Sequence, residues 1–485
     1  MKKLETDVVV IAAGLSGLAA AATAAQSGAR VIAFEKSNTV GGAANMGMGP
    51  LGIGTKQQKD MMVDIDVERA FKMFMDYTHW RVDANLVRRY YETSADTISW
   101  LEDMGVEFAG AYKYFPKAEA TWHIVAVNGG IGRNGGAIMT KALMEDAKSN
   151  GAEFFLETPV TKICKNDDGK ICGVIARGPD GEDIEASCKA VIICTGGAGD
   201  NPEMIKERMG YIFNENMFNF AIPGLKGDGI KMAEEVGAAE SEMSVEMIYI
   251  LPNSDQGPDC VPSVLMQPNL MVNQDGERFI DEEEMQNNTF TGNAINIQRG
   301  KAGYSILDAS ILRRYKRNGP DVVNFVHHPD SVDDFDEVVT QYIKEGNPDV
   351  YKANSVRELA VMIGVDPDVL EATVDEYNEM CVSSDTKFFK RRKFMKPIVK
   401  APFYAGKFRP GGYGTLGGIR INKYAEVLDA DWLPISGLFA AGTDTCSIFG
   451  DSYMFLLPGN TMGYCLNTGR FAGESATDYA IGNER

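Results

Sequence analysis

Residues 7–12 are an apolar run, DVVVIA, rich in β-branched side chains and followed after Ala13 by Gly14. A run this short bounded by a turn signal predicts a buried strand. Residues 14–27 are dominated by alanine and predict a helix. Residues 30–35, RVIAFE, return to the strand pattern. A strand, a helix and a strand in such close succession predict parallel pairing in a doubly wound sheet. The alternation resumes with a helix at 137–149 and strands at 153–157, 160–164, 172–177 and 190–194. Asp167-Asp168-Gly169 and Pro179-Asp180-Gly181 mark turns among them. Residues 438–441 read as a strand and 460–476 as a closing helix. Between 245 and 410 proline and charge rise and helix is mixed with strand. This predicts a domain at 245–410 inserted into one built from 1–244 and 411–485. The acidic run 281–284 belongs to this change of texture, and the basic run 390–393 reads as a solvated face.

The chain has 485 residues, 44% hydrophobic and 24% charged, which fits a globular protein of two to three domains. Its 48 basic and 68 acidic residues leave a formal charge of −20. That balance argues against nucleic acid or an anionic membrane as partner. The eight cysteines include no CxxC pair, so neither a zinc ribbon nor an iron–sulfur cluster is expected, and reduced thiols of a cytoplasmic protein are. The N-terminus lacks the pattern of a signal peptide, and no apolar stretch reaches the ~18 residues of a membrane span. His79, His123, His327 and His328 show no metal-site spacing.

The chemistry begins at Ala12-Ala13-Gly14-Leu15-Ser16-Gly17, between the first strand and helix. Gly14 and Gly17 hold the second and third glycine places of a GxGxxG turn, which lets the backbone and a helix N-terminus approach a pyrophosphate. Ala12 stands at the first place, which a negative φ tolerates. Glu35 lies 21 residues after Gly14, the spacing of a carboxylate that accepts from ribose hydroxyls. The loop that follows carries Gly41, Gly42, Ala43, Gly47 and Gly49. Further motifs are Thr195-Gly196-Gly197, Gly227-Asp228-Gly229, Gly417-Gly418-Ile419-Arg420 and Ala440-Ala441-Gly442-Thr443.

Together these motifs resemble, over nearly the whole chain, the flavoprotein family of fumarate reductase and succinate dehydrogenase, which includes the 3-ketosteroid dehydrogenases. The resemblance implies an α/β fold: a Rossmann-like FAD-binding domain with an inserted α+β capping domain, and the active site between cap and flavin. It implies hydride transfer between FAD and a C=C or CH–CH bond beside an activating group. Cofactor contacts are implied for Gly14, Ser16, Gly17, Glu35, Lys36, Gly41, Gly42, Ala43 and Gly49. Val160, Thr195, Gly196, Asp228, Gly442, Thr443, Gly459, Asn460, Thr461 and Met462 complete the set. The family often has an acidic residue where Thr443 stands, with Asp444 next here. No histidine occurs between 36 and 55, where members with covalent FAD carry one, so a noncovalent flavin is expected.

The dicarboxylate members hold substrate with two histidines and two arginines. The corresponding positions here are Leu251, a place near Gln286, Gly414 and the 453–458 run, none of them basic. Loss of the bidentate carboxylate partners predicts an apolar site for a neutral, aromatic or steroid-like enone rather than fumarate. Gly450-Asp451-Ser452-Tyr453 is similar to the ketosteroid dehydrogenase segment whose tyrosine hydrogen-bonds the substrate ketone. Tyr453, Tyr413 and Tyr249 are the candidate catalytic hydroxyls, and Arg133, His123 and Lys226 further polar candidates. Electrons must come from outside the chain, from a nicotinamide or a redox protein. The alternatives are a 3-ketosteroid dehydrogenase and a flavoprotein electron-transfer subunit of a larger complex.

Overall fold

The computed structural model describes residues 2–253, 257–323 and 331–482. His327 and His328 fall outside them. The principal sheet runs Pro434–Ala440, Ala190–Ile193, Val8–Ile11, Val31–Phe34 and Glu153–Phe155 in parallel, with Glu426–Leu428 antiparallel at one edge. Val8–Ile11 and its two neighbours are buried throughout, as parallel strands covered on both faces must be.

The alanine richness of the Leu15–Gln26 helix has a packing cause. The helix lies against the Asn460–Ile481 helix at close range. A Cβ on Gly469 would sit 2.4 Å from the Ser16 carbonyl oxygen, and one on Gly473 2.6 Å from that of Ala20. Small side chains on both helices permit that approach. The C-terminal helix runs past residue 476 to Ile481, because Ala480 still packs into the core.

A second sheet joins Lys2–Glu5, Asp183–Ser187, Ile171–Arg177 and Val160–Lys165. The third is organised on the seventeen-residue strand Phe403–Ile419. It pairs antiparallel with Glu240–Ile250, Gly303–Asp308 and Val350–Ala353. One hydrophobic core gathers residues 8–236 and 416–480, and another residues 249–408. Positions 245 and 410 fall inside Glu240–Ile250 and Phe403–Ile419, so the chain passes between the cores as two paired strands.

The basic run is not simply a solvated face. Lys390 is buried, with Nζ 3.3 Å from Glu282 and donating to the Pro268 carbonyl at 2.9 Å. Glu282 in turn accepts from Arg278 at 2.9 and 2.8 Å, and Asp385 takes the other edge of that guanidinium. Two cations and two carboxylates thus neutralise one another inside the second core. Arg391 pairs with Glu283 at 2.6 Å, and Arg392 and Lys393 are exposed.

Candidate active site

A cavity of about 600 Å³ lies between the two cores, at the carboxyl ends of the parallel strands. Ligands of doubly wound sheets bind at such ends. Its floor is made by the glycine-rich loops. Gly14 caps the Leu15–Gln26 helix without a side-chain hydrogen bond and with no acidic residue in the first turn. Leu15 and Ser16 at that helix start line the cavity, so the positive end of the helix dipole is open to an anion. Glu35 also lines it, and accepts from the Ala13 N–H and the Ser37 N–H, each at 2.8 Å. Gly41 donates to the Ala13 carbonyl at 2.8 Å, which ties the second glycine loop to the first.

Ala12 does not have the negative φ its side chain prefers. Its φ is +75°, a left-handed conformation that places its carbonyl against Gly17. A Cβ on Gly17 would meet that oxygen at 2.0 Å. Gly17→Ala is therefore expected to disrupt the turn, lowering stability by about 3 kcal/mol and cutting the flavin content of purified protein. Ala12→Gly is expected to be neutral to stabilising by about 1 kcal/mol, because it removes the left-handed penalty on Cβ at the cost of chain entropy. Urea unfolding followed by circular dichroism reads both.

Gly14, Ser16, Glu35, Lys36, Gly41 and Gly42 all line the cavity, with Ala43 and Gly49 beside them. Thr195, Gly196 and Thr443 line it on the side of the neighbouring strands, and Gly459, Thr461 and Met462 on the side of the C-terminal helix. Five expected contacts do not reach it. Gly17 and Gly442 serve close packing, since a Cβ on Gly442 would lie 2.4 Å from Ser16 Oγ. Val160 belongs to the second sheet, opposite Ala176. Asp228 pairs with Lys36 at 2.6 Å. Asn460 is fully buried, its Nδ2 3.5 Å from Tyr91 Oη.

The acidic residue after Thr443 has a different task from the one the family pattern suggests. Asp444 is fully buried and accepts from the Gly196 and Gly197 N–H groups at 3.0 and 2.8 Å and from Thr195 Oγ1 at 3.0 Å. It holds the Thr195-Gly196-Gly197 loop in place. Burial pushes its carboxyl upward against those donors.

The roof is apolar and aromatic. Ile248, Leu251 and Met266 line it, and Tyr114 packs edge-on against Phe455 with centroids 4.6 Å apart. Asn288 Nδ2 donates to Tyr114 Oη at 3.2 Å. Leu251 and Gly414, at two of the positions where dicarboxylate members carry basic groups, face this space. The cations lining the cavity are Lys36, engaged with Asp228, and Arg133, 2.9 Å from Asp259. Arg133 thus joins the cap to the glycine-rich side at the mouth. His123 and Lys226 are not donors to this space. His123 is buried between Thr55 Oγ1 at 2.7 Å and the Thr121 carbonyl, and burial pushes its pKa down to about 4. Lys226 pairs with Asp200 at 3.0 Å.

Of the three tyrosines, Tyr249 contributes its ring only, since its hydroxyl is spent on the Met285 carbonyl at 2.7 Å. Tyr413 lines the cavity and stacks on Phe220 with centroids 5.0 Å apart. Tyr453 is the most elaborately held. Its Oη accepts from the Thr461 N–H at 3.1 Å and from Thr461 Oγ1 at 2.9 Å. Thr461 lies in the first turn of the 22-residue Asn460–Ile481 helix, so negative charge developing on Oη meets two donors and a helix N-terminus. Burial, with Glu246 nearby, raises the phenol well above its ordinary value, so Tyr453 is a neutral hydroxyl that keeps its proton at rest.

Sequence reasoning missed Glu246. It lines the cavity beside the Tyr453 and Thr461 hydroxyls, and burial pushes its carboxyl up to about 7. It stands at an irregularity in the ladder, where Val245 pairs with Thr415 and Met247 with Gly412. One residue therefore opposes two, Tyr413 and Gly414. Bulges of this kind re-aim side chains next to active sites. The available signal was a carboxylate within an otherwise apolar run, Val245 to Leu251.

A family model described as FAD binding domain matches residues 7–461. A vinyl phenol reductase of Lactiplantibacillus plantarum is 30% identical, over 98% of this chain and 96% of its own length. The open conformation of a flavocytochrome c3 fumarate reductase superposes with a TM-score of 0.71 at 28% identity, covering 99% of this chain and 79% of that one. A 3-ketosteroid-Δ4-(5α)-dehydrogenase of Rhodococcus jostii gives 0.78 at 24% identity, covering 98% of each, and so shares the fold. The cradle at Gly14 and Gly41, open to an anion at a helix start, suits the cofactor that this match implies. The chain belongs to the FAD-binding flavoprotein family of fumarate reductase and is an FAD-dependent oxidoreductase.

Proposed function

We propose that the protein reduces a C=C bond conjugated to an electron-accepting group in a neutral, aromatic or enone-type small molecule. The observation that carries this reading is the substrate side of the cavity: Ile248, Leu251, Met266, Tyr114 and Phe455, with Glu246 as the ionisable acid. A dianion there would lose hydration worth several kcal/mol per charge and meet a carboxyl group instead of an arginine. A neutral molecule loses far less, and one tyrosine hydroxyl can satisfy its oxygen. The vinyl phenol in the name of the Lactiplantibacillus plantarum relative is neutral and aromatic, in keeping with this lining.

Gly14, Ser16, Glu35, Gly41, Gly42 and Thr195 would hold FAD, which when bound supplies the hydride. Tyr453 would give the proton, or polarise the carbonyl, from Oη. Tyr413 would stack on the substrate ring from the opposing strand. The flavin is read as noncovalent. No histidine or cysteine lies between 36 and 55, and the two cavity cysteines remain thiols, with burial pushing Cys194 upward and Cys465 up to about 12. Reducing equivalents would come from a nicotinamide or a redox protein. Eight free cysteines suit the cytoplasm, and among the described residues no helix is long and apolar enough to cross a membrane.

Two observations test the reading. Acid precipitation should leave FAD in the supernatant; flavin in the pellet, or FMN, contradicts the cofactor assignment. A panel of vinyl phenols, cinnamate esters and cyclic enones, mixed without oxygen with photoreduced protein, should contain compounds that restore the absorbance at 450 nm. A panel without one contradicts the substrate class.

A further inference from the structure

We propose that Glu246 is the proton reservoir of this site, returning to Tyr453 Oη the proton that the tyrosine gives to a substrate carbon. The proposal rests on the reading above, in which Tyr453 is the donor.

Both ordinary lone pairs of Tyr453 Oη are occupied by the Thr461 N–H and Oγ1–H, so this hydroxyl donates and does not accept further. Once its proton leaves, a third position opens on the oxygen, and an acid must fill it before the next turnover. Tyr453 is only 3% exposed, so bulk water is a poor source. Glu246 is the acid beside it, and its accessible part faces the cavity, where water enters. The bulge opposite Tyr413 and Gly414 turns the Glu246 side chain into that space.

Nothing in the packing of the strand calls for a carboxyl group there. Its neighbours Val245, Met247 and Ile248 are buried apolar residues. Among the described residues no lysine, arginine or histidine pairs with Glu246, and an unpaired buried carboxylate is costly. Burial accordingly pushes its pKa up to about 7, which keeps a proton on the group in the neutral range.

The surroundings do not supply a rival. The Asn288–Asn296 helix packed on this strand has no titratable side chain. The Gly442–Phe449 and Asn460–Ile481 helices bring Cys446 and Cys465, both held as thiols by burial, and Asp444, which faces the Thr195 loop. The Phe403–Ile419 strand brings Tyr413. The Pro202–Met209 helix meets the strand at its beginning, where Arg208 reaches Glu240 at 3.4 Å.

The π bond of the substrate opens. One carbon takes the hydride, which FAD would supply once an external nicotinamide or redox protein had given it two electrons. The other carbon takes the Oη proton, and the O–H electron pair stays on the phenolate oxygen. The Glu246 carboxyl gives that oxygen its proton and becomes a carboxylate, and cavity water restores the proton.

The test uses the holoprotein, Glu246→Gln and Glu246→Asp. The probe is the panel compound that reoxidises reduced wild-type protein fastest. Multiple-turnover rates of the wild type should fall about tenfold per pH unit above the Glu246 break near pH 7. Glu246→Gln should be slower by about 10–10²-fold at pH 6 and show no such break. Glu246→Asp should be slower yet keep the break.

Thermal stability gives a readout independent of turnover. A carboxyl with a raised folded pKa holds its proton in the folded state alone between pH 4.5 and about 7. The wild-type Tm should therefore fall with rising pH across that window relative to the Tm of Glu246→Gln. His123, whose depressed pKa has the opposite sign, is common to both proteins and cancels in the difference. A Glu246→Gln profile that keeps the kinetic break, or Tm curves that run parallel, overturns the relay while leaving the substrate reading intact. A panel that gives no turnover overturns both, and the Tm difference still reports whether Glu246 is protonated.

Discussion

Tyr453→Phe is expected to slow reoxidation of the reduced flavin by substrate by about 10²–10⁴-fold, the range for losing a positioned general acid. The ring should stay in place, because it packs on Phe449 at 4.9 Å and Phe455 at 5.8 Å. What disappears is the hydroxyl that Thr461 holds from two sides. The Thr461 N–H loses one partner, yet it belongs to a helix start, where water can replace it. FAD content and Tm should change little. The control is Tyr249→Phe, whose hydroxyl serves the Met285 carbonyl and faces no substrate. It should cost stability rather than rate. Equal rates for Tyr453→Phe and wild type would move the donor elsewhere, with Tyr413 the next hydroxyl on the cavity wall.

Glu282→Ala should produce the largest loss of stability among single substitutions in the second core, about 3–5 kcal/mol. Glu282 is fully buried, accepts from Arg278 and lies 3.3 Å from Lys390 Nζ. Removing it leaves two cations against the single carboxylate of Asp385, which Arg278 already holds down to about 2. Neither cation has an exit to solvent. The expected readout is a lower urea midpoint in the unfolding of the holoprotein. A midpoint within the error of wild type would show that the network carries no such strain.

The cofactor side of this molecule was legible because glycine leaves a trace in sequence that other residues do not. Gly14, Gly41, Gly42 and Gly196 line the cavity, and their spacing from strand and helix patterns is local information. Glu35 was legible for the same reason, being fixed by the length of one strand–helix–strand unit. The substrate side was legible only as a set of absences at Leu251, Gly414 and their neighbours. Which hydroxyl faces the cavity depends on hydrogen-bond partners that the folded chain brings together. Tyr249 loses its hydroxyl to Met285, whereas Tyr453 gains Thr461 across a turn. Glu246 was overlooked because its strand was read for hydrophobic pattern, and only the register with Phe403–Ile419 reveals the bulge that turns it inward. Lys390 looks solvated in the sequence because charge runs usually are, and its partners Glu282 and the Pro268 carbonyl are distant along the chain. The left-handed φ of Ala12 goes against its side chain's preference and accompanies the close approach of its carbonyl to Gly17.

The central claim is that this flavin site turns over neutral conjugated double bonds and refuses dicarboxylates. The most direct measurement is a stopped-flow comparison without oxygen, mixing the fully reduced holoprotein with equal concentrations of 4-vinylphenol, a cyclic enone and fumarate while recording absorbance at 450 nm. At least one neutral compound is expected to reoxidise the flavin about 10³-fold or more faster than fumarate, the ratio that several kcal/mol of unrecovered dianion hydration implies. Fumarate reoxidising the flavin as fast as the best neutral compound would contradict it.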